Sequence, residues 1–589
     1  MKKLLIYLRD YKKESILAPV FKMLEATFDL LVPLVMAAII NTGIANKDKG
    51  YILSHCALLI LLGVVGLTCS ITAQYFAAKA AVGCATELRH ALFEHIETLS
   101  FTEMDTVGTS TLITRMTSDV NQVQNGVNLV LRLFLRSPFI VFGAMIMAFT
   151  IDVKAALVFV VTIPLLSVVV FGIMLVSIPL YKKVQAALDK VLGITRENLT
   201  GSRVIRAFNK EQDEIAQFHE DNEALTKIQL YVGKISALMN PLTYIIINGA
   251  IVVLVWVGAI RVDNGNITQG QVVALVSYMS QILVELIKLA NLIININKSI
   301  ACMNRIETVL DMESSITEHP AAETGSLTSD GAGREGKETI PAENAVVFSK
   351  VGLTYAGASE EALSDIDFTV RRGETIGIIG GTGSGKSSVV NLIPRFYDAT
   401  RGEVLVDGKN VRDYTLEELR AKVGVVLQKA VLFKGTIREN LKWGKNDATD
   451  EELWAAIDAA QAREFVETKD GGLDFEIAQG GKNLSGGQKQ RLTIARALVR
   501  KPDILILDDS ASALDYATDA KLRAAIAALP GNMTVFIVSQ RTASIMHADK
   551  IIVLDDGKIV GMGTQEELLE NCEVYKEIYN SQFKTTSTQ

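Results

Sequence analysis

The sequence predicts two units of different class. An all-α membrane domain of six spans occupies residues 1–312, and an α/β domain occupies 345–589, with a linker at 313–344 between them. Three observations predict this. Before about residue 300, six apolar runs approach or exceed the roughly 20 residues that cross a bilayer. After residue 345, β-branched strands alternate with helical segments, the pattern of an α/β domain. Between the two, Glu313–Asn344 is rich in Glu, Thr, Ser, Gly, Ala and Pro and has no sustained periodicity, as flexible linkers do.

The runs lie near Ile16–Ile44, Ile52–Ala78, Leu133–Ile151, Ala155–Leu180, Leu242–Ile260 and Val272–Ile294. Their connections are unequal. Ala45–Tyr51, Asp152–Lys154 and Arg261–Gln271 are short, whereas Lys79–Arg132 and Tyr181–Pro241 are long and polar. The spans run into the long loops without Gly/Pro breaks, so these loops read as cytosolic extensions of the membrane helices. Lys182, Lys183, Lys190, Arg196, Arg203, Arg206, Lys210, Lys227 and Lys234 make the second long loop basic, and basic loops stay in the cytosol. The basic amino terminus and the α/β domain belong on the same side; Lys47 and Lys49 in the first external loop run mildly against the rule. Met1–Lys13 is polar and basic and the apolar run after it is long, so no cleavable signal is expected.

Composition agrees. Of the 589 residues 49% are hydrophobic, a high share for a soluble enzyme with 21% charge. A net charge of -7 argues against nucleic acid as the main partner. Cys56, Cys69, Cys84, Cys302 and Cys572 show no ligand-like spacing and read as buried or lipid-facing thiols.

Three segments carry chemistry. Gly380-Gly381-Thr382-Gly383-Ser384-Gly385-Lys386-Ser387 follows a strand-like run and opens a helix through Ser388. Glycines there let backbone N–H groups close round phosphates, Lys386 supplies a charge, and the Ser387 hydroxyl suits Mg²⁺. Ile504–Asp508 reads as a buried strand ending in a carboxylate of the kind that holds Mg²⁺. Leu484-Ser485-Gly486-Gly487-Gln488 spells LSGGQ at a helix start. With these segments and six preceding spans, nearly the whole chain resembles a type IV exporter half of the ABC transporter superfamily, and within it the degenerate-site subunit of bacterial heterodimeric multidrug exporters.

The resemblance implies ATP and Mg²⁺ as cofactors and assigns further roles. Tyr355 matches the aromatic that stacks on adenine, and Gln428 the glutamine that touches Mg²⁺ and the attacking water. Ser512–Asp515 matches a loop at the dimer interface, while Phe101–Val107 and the region around Ser202–Lys210 match the coupling helices. The family's sites are shared, with Ser485, Gly486, Gly487 and Gln488 of one chain completing the partner's site. The family expectation for cargo is a hydrophobic or amphipathic drug or lipid, moved across the plasma membrane.

Two positions of the hydrolytic machinery depart from the family. Asp509 stands where a Glu orients the attacking water, one methylene shorter and so pulled back about 1.5 Å. Gln540 stands where a His contacts the γ-phosphate. Gln479 also replaces a common Glu just before LSGGQ. The phosphate-binding elements survive, so the expectation is a site that binds ATP better than it hydrolyses it. The partner would be a second half-transporter with intact Glu and His. A slow homodimeric exporter and an ATP-gated channel or regulatory subunit are the competing readings.

In the spans, Glu25 and Asp29 share a helix face, as do Arg132 and Arg136. Ionisable groups at that depth are costly, so an acidic–basic cluster between the first and third spans is one expectation. Separate exposure of each pair to cytosolic water is the other. Glu285 and Lys288 are expected to face the water-filled cavity or the cytosolic extension of the sixth span.

Overall fold

Residues 4–317, 343–510 and 512–583 are described by the computed structural model. It divides into two units, Met1–Glu97 with Ser110–Met312, and Thr98–Thr109 with Glu313–Gln589. Most of the expected linker, residues 318–342, lies outside the described residues.

In the first unit six helices are, among the described residues, long and apolar enough to cross a membrane: Arg9–Ile44, Lys49–Thr98, Thr109–Ile151, Val153–Thr200, Glu211–Asp263 and Gln269–Leu310. Each outruns its apolar stretch, because the polar loop sequence carries the helical ladder onward. Small residues allow close approach where lipid supplies no hydrophobic drive. Ala73, Ala77, Ala80, Ala81, Cys84 and Ala85 bury one stripe of the second span, and a Cβ on Gly270 would meet the Ala37 carbonyl at 2.5 Å. Asp152, in the tight connection between spans three and four, accepts from the Ala155 N–H at 2.8 Å. It also receives the Arg261 guanidinium at 2.6 Å, which gives the buried carboxylate a counter-charge. Two π-helical turns, Arg115–Asp119 and Val130–Phe134, interrupt the third span.

The second unit is built on two larger sheets. The strands are β1 (Asn344–Leu353), β2 (Leu363–Arg371), β3 (Thr375–Gly380), β4 (Arg401–Val406), β5 (Lys409–Asn410), β6 (Val423–Val426), β7 (Gly435–Thr436), β8 (Glu476–Ile477), β9 (Ile504–Asp508), β10 (Thr534–Val538), β11 (Lys550–Asp555) and β12 (Lys558–Gly563). An antiparallel sheet has the order β2-β1-β4-β5, and a six-stranded sheet the order β12-β11-β3-β10-β9-β6. In the latter β11, β3, β10, β9 and β6 are mutually parallel. Every residue of β9 and β10 is buried, which explains why both read as unbroken apolar runs. Parallel strands gather their carboxyl ends along one edge, where such sheets bind ligands. Asp508 ends β9 directly opposite Val538 of β10, placing the functional residues there.

Candidate active site

β3 ends at Gly380, and the chain turns through Gly383 and Gly385, at φ +85° and +92°, into the helix Lys386–Leu392. Those left-handed values explain the glycines. Gly380 is required for a different reason: a Cβ there would meet the Leu554 carbonyl at 2.1 Å. The Lys386 ammonium donates to the carbonyls of Gly381 at 2.6 Å and Gly380 at 3.0 Å, which lays it along the loop.

One cavity of about 310 Å³ collects the predicted residues Tyr355, Thr382, Gly383, Gly385, Lys386, Ser387, Ser388, Gln428, Asp508, Asp509 and Gln540. Gly380, Gly381 and Ser384 shape the loop without lining it. Ala362, Val538 and Ser539 line it too and were not anticipated. Ser539 is buried, and its hydroxyl accepts the Arg541 N–H at 2.9 Å, which turns the chain after β10. Its position at the end of an apolar strand beside Gln540 was the available signal.

The Ser387 hydroxyl donates to Asp508 Oδ1 at 3.0 Å. Burial pushes the Asp508 carboxyl above its ordinary value; Ser387 opposes this and the Asp509 charge adds to it. Burial lowers the Lys386 ammonium, against the pull of Asp509 and Asp508. Gln428 donates from Nε2 to Asp509 Oδ2 at 3.3 Å, leaving its amide oxygen free to accept or coordinate. Hydroxyl, carboxylate and amide oxygens in one cavity are the hard donors Mg²⁺ takes, with remaining positions left to water and phosphate. The Tyr355 hydroxyl lies 2.8 Å from Ser388 Oγ, beside the glycine loop.

Ser485, Gly486, Gly487 and Gln488 do not line this cavity. Ser485 caps the helix Gly486–Val499: its Oγ accepts the Gln488 N–H at 3.3 Å, and Gln488 Oε1 accepts the Ser485 N–H at 3.0 Å. Arg541 ties the carbonyls of Leu514 and Ser512, at 3.1 and 3.2 Å, to the strand that carries Gln540.

These sites sit in matches that span the chain. Residues 15–286 match the family described as ABC transporter transmembrane region, and residues 363–512 the family described as ABC transporter. An uncharacterized ABC transporter ATP-binding protein of Mycobacterium tuberculosis is 37% identical over 583 residues, 98% of this chain and 97% of that one. This chain belongs to the ABC transporter family. The ATP-dependent lipid A-core flippase of Desulfotalea psychrophila is 34% identical over 496 residues, 84% of each chain. In fold the transporter matches the structure of a bacterial Atm1-family ABC exporter with ATP bound, with a TM-score of 0.78, 22% identity, and 97% and 99% of the two chains covered. It carries one transmembrane region of six spans and one ATPase domain, the half-transporter arrangement.

The transporter's first unit holds a charged cluster that differs from the expected one. Arg136, not Arg132, is its centre. The Arg136 guanidinium donates to Glu285 at 2.7 Å and to Asp29 at 2.9 Å, and lies 3.8 Å from Glu25. The Ser137 hydroxyl and Lys288 add bonds to Glu285 at 2.8 and 3.0 Å, and Lys22 pairs with Glu25 at 2.5 Å. Glu285 is therefore a buried member of the cluster, and with Lys288, Asp29 and Arg136 it also lines a cavity of about 320 Å³, as expected of a cavity-facing group. Among the described residues Arg132 reaches only Asn128, at 3.3 Å. Three acids and three bases from spans one, three and six neutralise one another, which is how ionisable groups persist at such depth.

Proposed function

We propose that this chain is one subunit of a heterodimeric exporter whose own ATP site holds nucleotide and hydrolyses it slowly. The observation that carries the reading is that Asp509 and Gln540 line the same cavity as Lys386, Ser387 and Asp508. Lys386, Ser387, Asp508 and both altered positions thus belong to one site. Here Tyr355 is the adenine platform, the glycine loop and Lys386 hold the triphosphate, and Ser387, Asp508 and Gln428 hold Mg²⁺, which screens the phosphate charge. Asp509 is the carboxylate nearest the water-orienting role, and Gln428 restrains it at 3.3 Å. A group set back about 1 Å from its productive position loses on the order of 100-fold in rate. Gln540 hydrogen-bonds in place of His but brings no positive charge to the γ-phosphate.

ABC exporters of this kind act as dimers, and Ser485–Gln488 sits outside the chain's own cavity, as a contribution to a partner's site requires. The partner in this reading carries the intact Glu and His and does most of the turnover. The orientation follows the basic loops: amino terminus and ATPase unit cytosolic, in the plasma membrane. The cargo is a hydrophobic or amphipathic molecule. A Bacillus subtilis relative named for multidrug export, 32% identical over 592 residues, and the lipid A-core flippases support that class. The test is steady-state ATP turnover of the chain alone in lipid, with bound ATP measured in the same sample. Stoichiometric binding with little turnover is expected. Brisk turnover abolished by Asp509→Asn overturns the reading.

A further inference from the structure

Tyr355 does not stand alone. Its ring meets that of Tyr397 edge to face, with centroids 5.1 Å apart and planes at 90°. Tyr397 does not line the cavity, whereas Tyr355 does. At its other end the Tyr397 hydroxyl donates to Asp105 Oδ2 at 2.6 Å. Burial, with the Asp105 carboxylate beside it, holds that phenol well above its usual value, so it remains a donor at any physiological pH.

Both ends of this connection are braced. Asp105 lies in the short helix Phe101–Val107, part of the second unit although the chain places it between the second and third spans. Ser100 and Glu103 close a capping box on that helix. Ser100 Oγ lies 2.9 Å from Ser315 Oγ, and Glu103 accepts the Ser315 N–H at 3.3 Å. Phe101 packs on Phe396 with centroids 4.8 Å apart. Beside Tyr397, the buried Arg395 grips Asp398 at 2.8 and 3.2 Å, and Arg420 stacks over Phe396 at 5.5 Å.

We propose that Tyr397 is a positioning residue for the base platform, with its ring setting the plane of Tyr355 and Asp105 setting the plane of Tyr397. An edge-to-face pair is orientation-dependent, because a ring's edge is electropositive and its face electronegative. Base stacking on Tyr355 therefore depends on a carboxylate carried by the loop between two spans. Linkage makes this reciprocal: a nucleotide that stacks steadies Phe101–Val107, and a triphosphate without a base does not. The proposal rests on Tyr355 being the adenine platform.

The test is calorimetric binding of ATP and of inorganic tripolyphosphate, each with Mg²⁺, to the full chain in lipid nanodiscs. Tyr397→Leu is expected to weaken ATP about 2- to 10-fold and leave tripolyphosphate unchanged. Tyr397→Phe and Asp105→Ala are each expected to give a smaller, base-dependent loss, and the double variant no more than either alone, because both cut the same bond. In the unaltered chain, ATP but not tripolyphosphate is expected to slow hydrogen exchange in Phe101–Val107. Parallel loss of both ligands in Tyr397→Leu, additive losses in the double variant, or equal protection by both ligands overturns the proposal. Tyr355→Leu separates the two ideas. If it leaves the ATP-to-tripolyphosphate ratio unchanged, the platform reading itself has failed. If it lowers the ratio while Tyr397→Leu does not, only the role of Tyr397 has failed.

Discussion

On the proposed reading of a slow site, lengthening one side chain should restore hydrolysis. Asp509 follows β9 with φ +45° and is anchored by its N–H to the Val538 carbonyl at 2.9 Å, so its backbone is fixed. Its carboxylate extends only as far as Gln428. Asp509→Glu keeps the anchor and advances the carboxylate by one C–C bond, about 1.5 Å. If that distance is the defect, turnover at this site should rise on the order of 100-fold, equivalent to about 2.7 kcal/mol of barrier. A left-handed backbone favours Asp over Glu, so the variant should lose somewhat less than about 1 kcal/mol of stability. Adding Gln540→His should raise turnover further, and more on the Glu background than on Asp509, because the two groups act on one transition state. The assay is ATP turnover in lipid with bound nucleotide measured in parallel. The reasoning is refuted if Asp509→Glu binds ATP fully yet turns over no faster than the unaltered chain.

Other expectations address separate parts of the molecule. Arg136→Ala should leave Glu285, Asp29 and Glu25 without their shared cation and lower stability by about 3 kcal/mol or more, whereas Arg132→Ala should change it little; thermal unfolding in detergent compares them. Ser485→Ala should weaken the cap of its helix by about 1 kcal/mol and, mixed with a hydrolytic partner, lower the partner's turnover while this chain's own ATP affinity holds. Because the Asp508 carboxyl is raised in the folded protein, its proton is retained to higher pH than an ordinary aspartate's. The Mg²⁺-dependent part of ATP binding should therefore fade on acidification at a pH above the usual aspartate range, and Asp508→Asn should abolish that dependence. The same shift means the ionised carboxylate opposes folding as pH rises past the ordinary aspartate value, so Asp508→Asn should be at least as stable as the unaltered chain at neutral pH.

The nucleotide site was legible because its signals are local. A glycine loop between strand and helix, a carboxylate ending an apolar strand and a capped glycine pair each occupy a few consecutive residues, and the chemistry dictates their spacing. Asp509 and Gln540 were singled out differently, because the family resemblance supplies the Glu and His that they replace. The membrane cluster was only half legible. Helical spacing puts Glu25 with Asp29 and Arg132 with Arg136, but says nothing about which helix faces which. Arg132 lies within the π-helical turn Val130–Phe134 and Arg136 just beyond it, so the four-residue spacing does not carry regular α-helical register from one to the other. Glu285 lies far along the chain on the sixth span, where no local pattern connects it with Arg136. Tyr397 was illegible for a similar reason, since its partner Asp105 lies 292 residues away.

That separation also bears on how the protein is made. Phe101–Val107 leaves the ribosome long before the strands and turn it packs against exist. Until Phe396 and Tyr397 arrive, Phe101 has no ring to cover it and Asp105 no phenol to bind. The ATPase unit is thus discontinuous, completed only when its late segment captures an early one, and a piece cut to begin at Asn344 would leave Phe396 and Tyr397 uncovered. Such a fragment should be less soluble than its own apolar core implies, and supplying the Phe101–Val107 segment as a separate peptide should recover part of the difference.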